Sequence, residues 1–138
     1  MATLESSKLK VATYNGEDGN LSVADASYTA AAAAIADVVR MVELPAGSRV
    51  VGVSVVNDAL GASSTLACGY EYKDSANGSA APTAFKAATA TSSAGGFTGA
   101  FHPLATFQDP IYITLTVGGA AITGKVSVIV YYESNGTK

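Results

Sequence analysis

The run Val42-Glu43-Leu44-Pro45-Ala46-Gly47-Ser48-Arg49-Val50-Val51 leads through Val55-Val56-Asn57-Asp58 and Leu60-Gly61-Ala62 to Ser64-Thr65-Leu66-Ala67-Cys68-Gly69-Tyr70. Valine-rich stretches cut this often by Pro and Gly cannot sustain a helix. Branching at Cβ restricts the rotamers, and the Pro/Gly punctuation stops propagation. The same residues suit a pleated, half-buried surface. This third of the chain therefore predicts strand, tight turn, strand, Gly turn, strand, as pieces of antiparallel sheet. Strict alternation puts Arg49, Val51, Val53, Val55 and Asn57 on one face. Val50, Gly52, Ser54 and Val56 go on the other.

The rest of the chain extends the pattern. Lys8 to Tyr14 alternates as a short edge strand guarded by lysines, followed by the turn cluster Asn15 to Asn20. Ser27-Tyr28-Thr29, five alanines and Ile35 have helix propensity but lie among strands, so residues 22–36 read as a short helix or as an extended, closely packed segment. Asp37 to Leu44 is a strand, and Leu66, Cys68, Tyr70 and Tyr72 form one side of another over Thr65 to Tyr72. Residues 73–110 read as a long surface excursion, with a short strand inside Thr83 to Gly99. Ile111, Ile113, Leu115 and Val117 share a face, Gly118-Gly119 opens a hairpin connection, and Val126, Val128, Val130 and Tyr132 share the next face. Ser134 to Lys138 reads as a frayed tail. Seven or eight short strands imply an all-β fold: a single-domain antiparallel β-sandwich, Greek-key or jelly-roll-like. The expected organisation is one domain over 1–138, with 1–8 a flexible N-terminal arm and 37–133 the core.

A chain of 138 residues can bury roughly 68% of its unfolded surface, enough for a core without staples. Charged residues make up only 14%, against about 25% in ordinary domains, and mean hydropathy is +0.29. A surface so poor in charge implies cover by copies of the chain or by a partner. Net charge is −3 and the two Arg and six Lys are scattered, which argues against a nucleic-acid partner. No apolar run is long enough for a membrane span, and the first residues lack the apolar core of a secretory signal. Synthesis in a cytoplasm is the expectation.

The candidate chemistries each lack a part. Gly119 to Lys125 matches GxxxxGK, but Val126 stands where a phosphate loop needs Ser or Thr, and a strand follows instead of a helix. His102 is the single histidine, beside Pro103 and among Phe97, Phe101 and Phe107, with no nucleophile elbow. Cys68 is alone, so neither a disulfide nor a cysteine cluster can form. Glu17-Asp18 with Asn15 and Asn20 lacks the spacing of a calcium loop. Asp58, Glu71 and Asp109 are isolated carboxylates, and the sequons at Asn20, Asn77 and Asn135 read as turns. Tyr70, Tyr72, Tyr112, Tyr131 and Tyr132 could form a sugar-binding platform or simply pack. No catalytic, cofactor-binding or metal-binding residue is assigned, no cofactor is expected, and the chain reads as not an enzyme.

The order strand, Leu44-Pro45-Ala46-Gly47, strand, Asn57-Asp58-x-Leu60-Gly61-Ala62, strand ending Gly69-Tyr70 resembles small structural proteins of tailed-bacteriophage heads. The turn Ser93-Ala94-Gly95-Gly96, the strand from Ile111 to Thr116 and the segment Gly118 to Tyr132 are similar to the rest of that pattern, which covers residues 37 to 133. The resemblance implies a decoration or cement protein on the outer capsid surface of the virion. Such a protein holds neighbouring major capsid subunits together, often as a homotrimer, without nucleic-acid or membrane contact. Contact elements would be residues 1–8, the alanine-rich 26–36 and the loop 73–110. A tail, neck or fibre component, or a free carbohydrate-binding β-sandwich, is the alternative.

Overall fold

The computed structural model describes residues 1–6, 9, 21–99 and 106–134. The expected strand from Lys8 to Tyr14, the Asn15 to Asn20 cluster, Phe101, His102 and Pro103, and the tail from Asn135 lie outside them, apart from Leu9. Nine strands are present among the described residues: β1 (Thr3–Glu5), β2 (Ser22–Ala33), β3 (Val38–Leu44), β4 (Ser48–Asn57), β5 (Thr65–Tyr72), β6 (Ala81–Ala90), β7 (Gly95–Thr98), β8 (Ile111–Gly118) and β9 (Ile122–Ser134). They form a five-stranded sheet in the order β1-β3-β8-β5-β6 and a four-stranded sheet in the order β2-β9-β4-β7.

This order is that of a jelly roll. β2 pairs with β9, β3 with β8, β4 with β7 and β5 with β6, all antiparallel. The chain is thus one long double-stranded ribbon folded back at its middle and then rolled up. The midpoint of the pair Ser22↔Tyr132, and of Val38↔Thr116, falls on Asn77. Asn77 ends the 3₁₀ turn Ser75–Asn77, which Asp74 caps by accepting the amide of Ala76 at 3.0 Å. Rolling the ribbon adds the pairings β9–β4 and β8–β5 that close the two sheets.

The local turns therefore do a different job from the one expected. Pro45-Ala46-Gly47 joins β3 to β4, and Gly119 joins β8 to β9, yet in each case the two strands belong to opposite sheets. These connections cross the sandwich and are not hairpins. Among the described strands consecutive in sequence, only β5 and β6 pair.

The core lies between the sheets. Ile111, Ile113, Leu115 and Val117 from β8 face Val126, Val128, Val130 and Tyr132 from β9, all at most 2% exposed, as the alternation predicts. The alternation fails at β4. A bulge between Val50 and Gly52 lets Ser48 and Val50 share the inner face with Val53, Val55 and Asn57. One extra residue turns every later side chain to the other face. Residues 22–33 are strand, because Ala24, Ala26, Ala30 and Ala33 point inward and pairing with β9 outweighs the helix propensity of alanine. The core thus begins before residue 37. The presumed excursion 73–110 contains β6 and β7. Within the presumed arm, Thr3–Glu5 is a docked strand, parallel to Val38–Arg40, and Ser6 is buried.

Candidate functional site

The broad outer faces of the two sheets differ in chemistry. On the five-stranded sheet, Arg40 of β3 pairs through Nε with Glu71 of β5 and lies 3.9 Å from Glu5 of β1. Its guanidinium also covers the ring of Tyr112, 4.7 Å from the centroid. Register explains the meeting, since β1, β3, β8 and β5 are neighbours and these residues all point outward. Lys73 donates to Glu43 at 2.8 Å, and that bond raises the lysine above its ordinary pKa. The charges of this face are largely satisfied by one another.

The four-stranded sheet presents a nearly neutral face. Register aligns Val23, Tyr131 and Gly52 in one row, Asp25, Ile129 and Ser54 in the next, and Ser27, Ser127 and Val56 in a third. Val23 and Val56 are each 54% exposed, and Ser27 and Ser127 hydrogen-bond to each other at 2.8 Å. Its charges lie toward the margins, with Asp25 on the edge strand β2, the exposed Lys125 beyond Ser127, and Arg49 with Glu133 at one end. Covering the uncharged centre around Ile129, Tyr131 and Val56 therefore costs little desolvation. At one end of the sheet, Arg49 pairs with Glu133. A shallow cleft of about 430 Å³, lined by Glu5, Ser27, Tyr28 and Thr29, lies where β1 and β2 approach each other.

The candidate chemical residues that the structure describes are not brought together. Glu71 is engaged with Arg40, Asp58 follows β4 and accepts the Lys125 amide at 3.3 Å, and Asp109 precedes β8. No group of three potential metal ligands occurs among the described residues. The GxxxxGK segment runs from Gly119 into β9, without the helix a phosphate would need. Cys68 is 1% exposed, and burial pushes its thiol up to about 12. The five tyrosines are dispersed. Tyr132 is fully buried, Tyr70 and Tyr72 pack with Phe107 (centroids 4.7 and 6.2 Å away), Tyr112 lies under Arg40, and Tyr131 is on the opposite sheet. Sequence reasoning missed Asp37, which links β1 to the β2–β3 turn. Its partner Ala2 is too far away in sequence for any local signal to reveal it.

No protein-family model and no curated protein matches the chain. Solved structures do. A chain in the capsid of Ralstonia phage GP4 superimposes with a TM-score of 0.74 at 16% identity, over 99% of this chain and 99% of that one. A chain of the cyanophage Pam1 capsid asymmetric unit gives 0.65 at 21% identity, covering 90% and 91%. One in the acidic stable capsid structure of Helicobacter pylori bacteriophage KHP30 gives 0.57 at 21%, covering 83% and 88%. At such identities the likeness establishes a shared fold.

Proposed function

We propose that this protein is a non-enzymatic structural component of a tailed-phage virion, which binds the outer capsid surface and cements neighbouring major capsid subunits, as a homotrimer. The observation that carries this reading is the likeness to the Ralstonia phage GP4 capsid chain, which uses nearly the whole of both chains. The likeness therefore extends over the whole sandwich and is not confined to one sheet. The chemistry is compatible: a rigid sandwich with one nearly neutral face offers contact area, and the candidate reactive groups among the described residues are buried, paired or dispersed. Cementing needs only modest contacts, because copies linked in a trimer or repeated over a lattice bind at high effective concentration.

The test is to add the purified protein to expanded capsids that lack it and follow co-sedimentation and the temperature of capsid rupture. Saturable binding with a raised rupture temperature is the expected result. Capsids that neither retain the protein nor gain stability would overturn the cementing role. Immunogold label confined to the tail or neck of intact particles would move the protein elsewhere in the virion.

A further inference from the structure

Among the described residues Asp37 is the one buried carboxylate, 7% exposed, and it stands where three segments meet. Its Oδ1 accepts the amide of Ala2, at the start of β1, at 2.8 Å. Its Oδ2 accepts the amide of Ala34, in the turn between β2 and β3, at 3.0 Å. Its backbone carbonyl accepts from Val117 at 3.0 Å, and the neighbouring Ala36 amide donates to the Val117 carbonyl at 2.8 Å, which ties the turn to β8. β1 depends on such ties. It has three residues, lies on a sheet edge, and makes the one parallel pairing among the described strands. Beyond Asp37 its ends are held by Val38 donating to Ala2 at 3.1 Å, by Ser6 donating its amide to Arg40 at 2.9 Å, and by the Ser6 hydroxyl donating to Met41.

We propose that the Asp37 carboxylate is an ionisation-dependent latch for the N-terminal strand: ionised, it holds β1 on the edge of the five-stranded sheet, and protonated, it releases it. An ionised carboxylate offers acceptors to both amides at once. A protonated one carries an O–H donor on one oxygen, so one of the two N–H groups faces a donor and loses its bond. The amide of Ala2, then that of Ala34, holds the carboxyl below its ordinary value. The sign follows. The latch is closed at and above the ordinary carboxylate range and opens as pH falls through the lower, folded value. The α-amino group of Met1, on the β1 side, acts in the same direction. The turn contributes Ala34, Ile35 and Ala36 and the end of β8 contributes Thr116, Val117 and Gly118, none of them charged. Glu5 and Arg40, the nearest charged side chains along β1 and β3, are engaged with each other and with Glu71. Release uncovers the β3 edge over Val38–Arg40, whose backbone groups are then free to pair with another strand.

Residue-resolved hydrogen exchange tests the latch, with rates corrected for the intrinsic effect of pH. In the native protein, protection at the Ser6 and Val38 amides is expected to fall about fivefold or more between pH 7 and pH 2, below the lowered carboxyl value, while Val128 in the core keeps its protection. In Asp37→Asn, whose amide donates where the carboxylate accepted, the loss is expected already at pH 7 with little further change in acid. Ala2→Pro removes the N–H that reaches Oδ1, keeps the Ala2 carbonyl to which Val38 donates and leaves the turn's own bonds in place, so it is expected to loosen Ser6 and Val38 even if Asp37→Asn does not fold. Unchanged protection in Ala2→Pro at pH 7, or acid loss spread equally to Val128, overturns the proposal.

Discussion

Gly69 occupies the point where β6 leaves regular pairing with β5. The register jumps between Cys68↔Lys86 and Tyr70↔Ala81, and the residues taken up in that bulge bring Pro82 over the glycine. Proline donates nothing to a ladder, which is why the strand departs there and why such a residue is confined to an edge strand like β6. A Cβ on Gly69 would lie 2.0 Å from the carbonyl oxygen of Ala81, 2.4 Å from the carbonyl carbon of Pro82 and 2.6 Å from its Cα. All three are backbone atoms, so no side-chain rotation relieves the clash and the edge strand must move. Gly69→Ala is therefore expected at the top of the overpacking range, about 3 kcal/mol. For a domain of this size, with a Tm shift of about 3–5 °C per kcal/mol, that lowers Tm by about 10–15 °C. Thermal unfolding followed by circular dichroism reads it. Gly95→Ala is the control, because a Cβ there meets nothing within 4 Å, and its effect should stay within about 0.5 kcal/mol. A Gly69→Ala protein melting within about 2 °C of the parent would refute the close approach of β6.

Three further outcomes follow from the surfaces and the core. With burial raising the Cys68 thiol to about 12, only about one molecule in ten thousand carries a thiolate at pH 8. A thiol reagent should then react in denaturant but not with the native protein, and rapid native labelling would contradict the packing. Because covering the neutral face of the four-stranded sheet costs least, Val56→Asp should weaken capsid binding tenfold or more without lowering Tm, since a new charge would have to be desolvated on contact. Arg40→Ala, on the opposite, half-exposed face, should cost about 1 kcal/mol of stability and leave binding intact. Equal binding losses from both variants would dissolve the distinction between the faces.

Which residues form strands, and which of their sides turn inward, was legible where the alternation is strict. β8 and β9 carry branched or aromatic residues at every second position, and this is enough to place Ile113, Leu115, Val128 and Val130 in the core. Pairing was a different matter. A Pro/Gly turn such as 45–47 fits a hairpin or a crossing between sheets equally well, because the turn constrains four residues and the choice depends on partners more than sixty residues away. The bulge in β4 was hidden for the same reason, since an inserted residue is visible only against the strand it fails to match. Nor could residues 22–33 be resolved locally, because alanine favours a helix alone and becomes strand here only by pairing with β9. The meeting of Asp37 with Ala2 belongs to this second group. The sequence by itself determined the strands and inner faces where alternation is unbroken, as in β8 and β9, because those follow from short-range periodicity. The tertiary structure alone decided the jelly-roll pairing, the contrast between the two outer faces and the tie on β1, because each depends on which distant segments are brought side by side.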